Sequence, residues 1–268
     1  MQVNVGGGAY AHNMALQLAH ENNFDALLIQ EPWILKDLTA KRSIPHPKFA
    51  LFSPLDEWHT RPRVLTYISS SQGLRSYQSA INTSPDLLPV VISTGRGRKI
   101  AVWNVYIAPA GSIRAGEGLK MLIESTGTPE FVGGDFNSRH PIWDSHVTYT
   151  SQGGADLQEW ATEKELILLN PTEMSTNKGG GTLDLAFSSL AGAKCEIPSD
   201  LHTISDHETM VTTLTGEYNA IENSERRLRY DSNNEVLFTT LLRCHSDPPD
   251  LSTVDDIERE AENIVKVI

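Results

Sequence analysis

Apolar positions along the chain fall into short runs separated by polar and glycine-rich stretches. Between residues 12 and 22 (HNMALQLAHEN), Met14, Ala15, Leu18 and Ala19 recur at helical spacing, and Asn22-Asn23 provides a stop. Residues 24–29 then form a compact apolar run that closes on Gln30-Glu31-Pro32. Proline has no N–H for a sheet ladder, so a strand must finish there with Glu31 at its end. Further strand-like runs occupy residues 64–69, 88–93, 100–107, 130–132, 166–170, 182–187 and 209–214. The loop Thr94-Gly-Arg-Gly-Arg-Lys99 joins two of them as a hairpin, and residues 153–165 (GGADLQEWATEKE) put Leu157, Trp160 and Ala161 on one helical face.

Strands outnumber helices, and the helices fall between groups of strands, which predicts a layered α/β or α+β fold. The character changes near residue 217. Residues 218–268 are rich in charge and Asn/Ser, carry Pro248-Pro249, and hold helical stretches at 233–244 and 253–267. The expected organisation is therefore a folded domain over 1–217 and a helical linker or appendage over 218–268.

Composition narrows the class. With 268 residues, 39% apolar and 21% charged, the chain suits a globular protein and not a disordered one. No apolar run reaches the roughly 18 residues of a membrane span, and the N-terminus lacks a basic-then-apolar secretion pattern. Cys195 and Cys244 form neither a metal-binding spacing nor a disulfide framework, so an intracellular setting is expected. The net charge of −12 argues against a broad basic face for nucleic acid.

The candidate chemistry sits where strands end. Asn4 follows Gln2-Val3, Glu31 closes its strand, Tyr106 lies late in the run Val102-Trp-Asn-Val-Tyr106, and Asp135 and Asn137 follow Phe131-Val132-Gly-Gly. Asp184 belongs to Thr182-Leu-Asp184, and Ser205-Asp206-His207 precedes the last strand. Loops at one edge of a sheet commonly collect site residues in this way. Asp135 and Asn137, two apart, share a face of an extended segment. The paired glycines before them leave room for a ligand or another backbone.

These residue types suit metal-assisted phosphoryl hydrolysis. A hard cation needs only one or two carboxylates: Glu31, with Asn4 and Asp206 near it. Asp135 can orient and deprotonate a water while Asn137 holds it, and Tyr106 and His207 can donate to phosphoryl oxygens. His207 needs an orienting partner. Adjacent Asp206 faces the other way in an extended segment, so Asp184 is expected there. His207-Glu-Thr-Met-Val211 is not the zinc pattern H-E-x-x-H, because position 211 is valine. Gly6-Gly7-Gly8 reads as a permissive turn, Trp143 as core, and the Gly95–Lys99 loop as a solvated tip. His59, His140 and His146 have no partners at ligand spacing.

Asn4, Gln30-Glu31, Asn104-Val-Tyr106, Gly134-Asp-Phe-Asn137, Thr182-Leu-Asp184 and Ser205-Asp-His207, in this order over about residues 1–215, resemble the endonuclease/exonuclease/phosphatase family. Gln30-Glu-Pro-Trp33, Asp135-Phe-Asn-Ser-Arg-His-Pro-Ile-Trp143 and Asp184-Leu-Ala-Phe-Ser188 resemble most closely the apurinic-like endonuclease domain of non-LTR retrotransposons. The resemblance implies a four-layer α/β sandwich, DNase I-like, with two packed, mostly antiparallel sheets flanked by helices. It implies Mg²⁺- or Mn²⁺-dependent nicking of double-stranded DNA that leaves a 3′-hydroxyl, inside the cell and in the nucleus when genomic DNA is the substrate. It also implies supporting phosphate contacts from Ser205 and Thr176, and Arg139 stands open between a phosphate contact and a structural role. By the same resemblance Met1 leaves the first strand a stub. Residues after 217 resemble the start of a connector towards a reverse transcriptase in a longer polyprotein. Two other readings stay open: a phosphoesterase of the same fold acting on a small phosphate ester, and a catalytically dead remnant of a retroelement.

Overall fold

The computed structural model describes residues 1–214 except 71–72, 81–83, 96 and 172–173, and these belong to one unit, Met1–Gly216. The expected appendage at 218–268, with its two helical stretches and Cys244, lies outside the described residues.

Two sheets form the frame. The first has four strands in the order β1 (Gln2–Asn4), β2 (Ala26–Gln30), β4 (Val64–Ser69), β3 (Phe49–Phe52). The second has six, in the order β5 (Arg75–Gln78), β6 (Leu87–Ser93), β7 (Lys99–Tyr106), β8 (Phe131–Asp135), β10 (Asp184–Ser188), β9 (Ile167–Leu168). A small ribbon pairs β11 (Lys194–Glu196) with β12 (Val211–Thr213). The pairs β1–β2 and β7–β8 are parallel, and the other strand pairs are antiparallel.

Period-two alternation makes the layers. In β2, Leu27 and Ile29 face helix α1 (Ala9–Glu21), joined there by Leu65 and Tyr67 of β4 and by Ala15, Leu16 and Ala19 of the helix. Leu28, Val64 and Ile68 point the opposite way, into a core shared with Leu88, Val90, Val102 and Ala186 of the six-stranded sheet. On the far face of that sheet, Trp103, Val105, Val132, Leu185 and Phe187 pack with Leu119 and Leu122 of α2 (Glu117–Ile123) and Leu157 and Trp160 of α3 (Gln152–Glu163). The order is helix, sheet, sheet, helices: the expected four-layer sandwich. Burying a side chain such as Leu65 or Ile29 contributes roughly 1.5–3 kcal/mol, so the layers hold strands that are individually short.

The structure moves several expected boundaries. The run at 130–132 continues through both glycines to Asp135, because Gly133 and Gly134 stay in the ladder opposite Ala186 and Leu185. A side chain at Gly133 would start 2.2 Å from Gln2 Oε1, and one at Gly134 would start 1.9 Å from the Val105 carbonyl. The room expected for a ligand or a backbone is taken up by the facing sheet and the neighbouring strand. The run at 166–170 shortens to Ile167–Leu168, and 209–214 shortens to Val211–Thr213. Strands β3 and β5 and helix α2 were not anticipated. Both strands lie at sheet edges: β5 (RSYQ) carries little apolar signal, whereas β3 (FALF) is apolar throughout but only four residues long, with its middle pair exposed.

Candidate active site

Three neighbouring strands of the larger sheet present one residue each at the same level. Tyr106 of β7 pairs with Asp135 of β8, and Asp135 pairs with Asp184 of β10. Residues in register share a face, and this face is turned towards the smaller sheet. From that sheet, Asn4 ends β1 beside Gln30, and Glu31 follows directly. The site is therefore assembled between the two sheets at one common edge.

Asp135, 1% exposed, is held by three hydrogen bonds. Its Oδ2 accepts from Asn4 Nδ2 at 2.8 Å and from Asn137 Nδ2 at 3.1 Å, while Oδ1 accepts from the Asn137 amide at 3.1 Å. Asn4 is itself oriented, because its Oδ1 accepts from the Gly6 amide at 2.9 Å. Gly6 and Gly7 take φ of +55° and +71°, the permissive turn expected of the glycine run. Asn137 also has positive φ, +45°, a conformation asparagine tolerates, and it returns Nδ2 to the Ile107 carbonyl at 2.9 Å. Burial first, and then the charge of Asp184, pushes the Asp135 carboxyl above the usual range, while His207 and the Asn4 and Asn137 donors oppose this.

His207 stands across from Asp135. Its Nδ1 lies 2.8 Å from Asp184 Oδ2, and its Nε2 lies 3.9 Å from Asp135 Oδ2. With Nδ1 donating to Asp184, Nε2 is left facing Asp135. Burial alone would lower this imidazole. The Asp184 hydrogen bond and the charges of Asp184, Asp135 and Asp206 outweigh it, and together they push the pKa up to about 9. Asp184 is buried, which raises its carboxyl, and its Oδ1 has no hydrogen-bond partner.

Glu31 and Tyr106 face each other across the sheets. The Tyr106 hydroxyl donates to Glu31 Oε1 at 2.6 Å. Burial, then this hydrogen bond, raises the phenol so that it keeps its proton. Glu31 is half-buried and takes φ of +45°, an uncommon conformation for a glutamate. Backbone strain of this kind gathers at functional positions.

The remaining candidates are more tightly bound into the protein. Thr176 is fully buried, and its hydroxyl accepts from the Leu183 and Asp184 amides at 2.9 and 3.0 Å. Ser205 donates to the Asn4 carbonyl at 2.6 Å and accepts from the His207 amide at 3.2 Å, tying the histidine loop to β1. Arg139 pairs with buried Asp144 at 2.7 Å and reaches the Gly180 carbonyl at 3.5 Å. Asp206 is exposed, with Ser205 Oγ 3.4 Å from its Oδ1. Trp143 is fully buried, as expected.

Other supporting residues had not been singled out. Asn170 donates to the Asp184 carbonyl at 2.8 Å and accepts from the Ala186 amide at 2.8 Å, bracing β10. It ends the apolar run at 166–170, so the strand-end signal was present. Arg63 and Asp86, which precede β4 and β6, also reach this edge. Antiparallel strands begin where their neighbours end, so residues just before β4 and β6 come to the same edge as residues at the ends of β2 and β7. Among the described residues, Asp135, Asp184 and His207 offer ligand atoms within 4.8 Å of one another.

Residues 100–211 match a family model described as endonuclease-reverse transcriptase. That span holds Tyr106, Asp135, Asn137, Thr176, Asp184 and Ser205-Asp206-His207, while Asn4 and Glu31 lie outside it. Among solved structures, the chain is similar to the endonuclease domain of TRAS1, a telomere-specific non-LTR retrotransposon. The identity is 20%, the match covers 79% of this chain and 94% of that one, and the TM-score is 0.62. An AP endonuclease from Archaeoglobus fulgidus matches at 11% identity, 80% and 98% coverage and a TM-score of 0.48. The Xenopus laevis APE2 catalytic domain matches at 14% identity, 78% and 90% coverage and a TM-score of 0.48. No curated protein matches the sequence. The family model and the fold bear out the resemblance to the endonuclease/exonuclease/phosphatase family and its DNase I-like sandwich.

Proposed function

We propose that this chain is a metal-dependent endonuclease that hydrolyses phosphodiester bonds in double-stranded DNA and leaves a 3′-hydroxyl. One observation carries the reading. Asp135 is held by Asn4 and Asn137 and faces His207 Nε2 at 3.9 Å, while His207 is bound through its other nitrogen to Asp184. A carboxylate fixed on one side and an oriented imidazole on the other is the arrangement needed to activate water beside a phosphate.

In this scheme Asp135 accepts a proton from a water whose oxygen attacks phosphorus, and Asn137 keeps the carboxylate aimed. His207, oriented by Asp184, donates to a phosphoryl oxygen as negative charge builds there, and Tyr106 donates to another. The bond from phosphorus to the 3′ oxygen breaks, and that oxygen takes a proton from surrounding water. Ser205 holds the loop that carries His207. Thr176 acts through the backbone of Asp184, and Arg139 remains a candidate phosphate contact through the part of its side chain that is exposed.

In this reading Mg²⁺ or Mn²⁺ would be held by Glu31, a half-buried carboxylate bound at one oxygen by Tyr106, with the Asn4 amide and the exposed Asp206 carboxylate as further oxygen donors. Asp135, Asp184 and His207 form the tighter acidic group. There, however, the ring nitrogen and one carboxylate already bind each other, and imidazole suits a hard cation poorly. A cation at Glu31 would polarise the phosphate and offset charge developing on it.

The endonuclease domain of TRAS1 supports a retrotransposon setting. In that setting residues 218–268 are a connector towards a reverse transcriptase, and the site of action is the nucleus. The net charge of −12 leads to weak, salt-sensitive DNA binding by this chain alone. Supercoiled plasmid incubated with Mg²⁺ tests the core claim. The expected result is nicked circles from the wild type, extendable by a polymerase at the 3′ end, and only background from Asp135→Ala. Equal background from both proteins would exclude nuclease activity.

A further inference from the structure

Arg63 and Asp86 lie at the starting ends of strands in different sheets, and both belong to the edge that carries the site. The backbone stitches each to a site residue. The Glu31 amide donates to the Arg63 carbonyl at 2.8 Å, and the Tyr106 amide donates to the Asp86 carbonyl at 2.9 Å. The Arg63 amide in turn donates to the Pro85 carbonyl at 2.8 Å.

The side chains close the same link. Arg63 gives Nε to one oxygen of Asp86 and Nη2 to the other, a bidentate pair whose carboxylate is fully buried. The Asp86 amide is fixed by Ser84 Oγ at 3.2 Å. A guanidinium held at two points cannot rotate, and its carbon sits 5.2 Å from the centre of the Tyr106 ring. The ring therefore has a rigid charged plane against it, and its hydroxyl ends on Glu31.

Stability alone does not call for this arrangement. Taking an ion pair out of water costs about as much as the pair returns, and apolar residues of similar size would pack as well. Geometry is what the pair adds. We infer that the Arg63–Asp86 pair is a positioning device that straps the two sheets together and fixes the Tyr106 hydroxyl against Glu31. This rests on the endonuclease reading, since the quantity it sets is the rate of phosphodiester cleavage.

The test compares Arg63→Met, Arg63→Lys, Asp86→Asn, Tyr106→Phe and the Arg63→Met/Tyr106→Phe double variant. Readouts are thermal melting, kcat and KM for plasmid nicking, and DNA binding in EDTA. Loss of an outer support of this kind lowers kcat by roughly 10–100-fold, with KM and binding in EDTA within about threefold of wild type. Lysine does not rescue, because a point charge cannot hold both carboxylate oxygens. In the Tyr106→Phe background the Arg63 substitution then adds no more than about a twofold loss, because the hydroxyl it positions is gone.

Losses that multiply in the double variant would overturn the inference, as would unchanged kcat. So would DNA binding weakened about tenfold with kcat intact, which would make Arg63 a direct phosphate contact. Should Arg63→Met melt too low to assay, Asp86→Asn, close in shape, carries the same comparison in both backgrounds. Wild type no more active than Asp135→Ala removes the nuclease reading and this role together. An active wild type with multiplying losses removes the positioning role alone.

Discussion

His12 and His207 are both enclosed by protein, and their surroundings drive them to opposite charge states. His12, on α1, is fully buried against the smaller sheet. Its Nδ1 accepts from the Trp33 amide at 3.2 Å, and its Nε2 meets the Tyr67 hydroxyl at 2.9 Å; that hydroxyl donates onward to the Ile44 carbonyl at 2.7 Å. The chain of donors is closed and neutral, and burial lowers the imidazole to about 4. His207 faces Asp184, Asp135 and Asp206 and is raised to about 9. One histidine completes a network in which both ring nitrogens are matched. The other stands among carboxylates in excess, with Asp184 Oδ1 unpartnered. Closed neutral networks build structure, whereas uncompensated buried charge costs stability and is worth keeping where chemistry uses it.

The largest effect should come from His207→Ala. Nicking is expected to fall by about 10²–10⁴-fold, far beyond what any loss of melting temperature explains, although the variant also leaves Asp184 and Asp135 without their cationic partner. His12→Ala should do the reverse, melting early and, where folded, nicking near the wild-type rate. If both variants lost activity in proportion to stability, the distinction between the two sites would collapse.

The second prediction concerns acid. His12 has a folded pKa of about 4 against 6.5 for an ordinary imidazole, so the unfolded chain binds more protons between those limits. Its contribution is fully present above pH 6.5 and is lost as pH falls to about 4. The lowered pKa corresponds to roughly 3 kcal/mol. Urea unfolding at pH 7.5 and 4.5 should show this loss in the wild type beyond that in His12→Gln. The raised carboxyls of Asp135 and Asp184 push the other way, and the comparison with His12→Gln removes them. Equal acid sensitivity in the two proteins would mean that His12 is not held neutral.

The same contrast explains what could be read before the fold was known. Strands 64–69 and 88–93 were recognisable because both faces are covered and the apolar signal is unbroken, and Asp135 with Asn137 stood out because polar groups at strand ends break it. The pairing of His207 with Asp184 followed from alternation, since Asp206 must face away. His12 gave no such sign: a histidine within helical spacing does not announce whether it is a surface residue or the bridge between Trp33 and Tyr67. Arg63 and Asp86 were missed for a topological reason. Their strands run antiparallel to β2 and β7, and that pairing is decided by the whole sheet and not by any local run.

Asp184→Asn is the third test. It keeps the shape beside His207 and removes the charge that holds the ring cationic and oriented. A loss of about 10–100-fold in kcat is expected, smaller than for His207→Ala because the imidazole remains. Binding of DNA in EDTA should be unchanged. A loss as large as that from Asp135→Ala would instead put Asp184 in contact with the reacting groups.

The smallest effect belongs to the neutral network. In Tyr67→Phe the ring still fills its place between α1 and the sheet, where Tyr67 is fully buried. The lost hydroxyl leaves His12 Nε2–H and the Ile44 carbonyl without their shared partner. Net loss of such a hydrogen bond costs about 0.5–1.5 kcal/mol, and stranding a buried donor takes the cost to about 1–3 kcal/mol. The variant should therefore unfold at lower urea with an unchanged slope and nick plasmid at the wild-type rate. Because the Tyr67 hydroxyl accepts Nε2–H from the neutral and the charged ring alike, its loss favours neither state, and the acid sensitivity that distinguishes wild type from His12→Gln should persist. If Tyr67→Phe abolished that sensitivity, the hydroxyl and not burial would be holding His12 neutral. The contrast with His207 would then rest on one hydrogen bond and not on the medium around the ring.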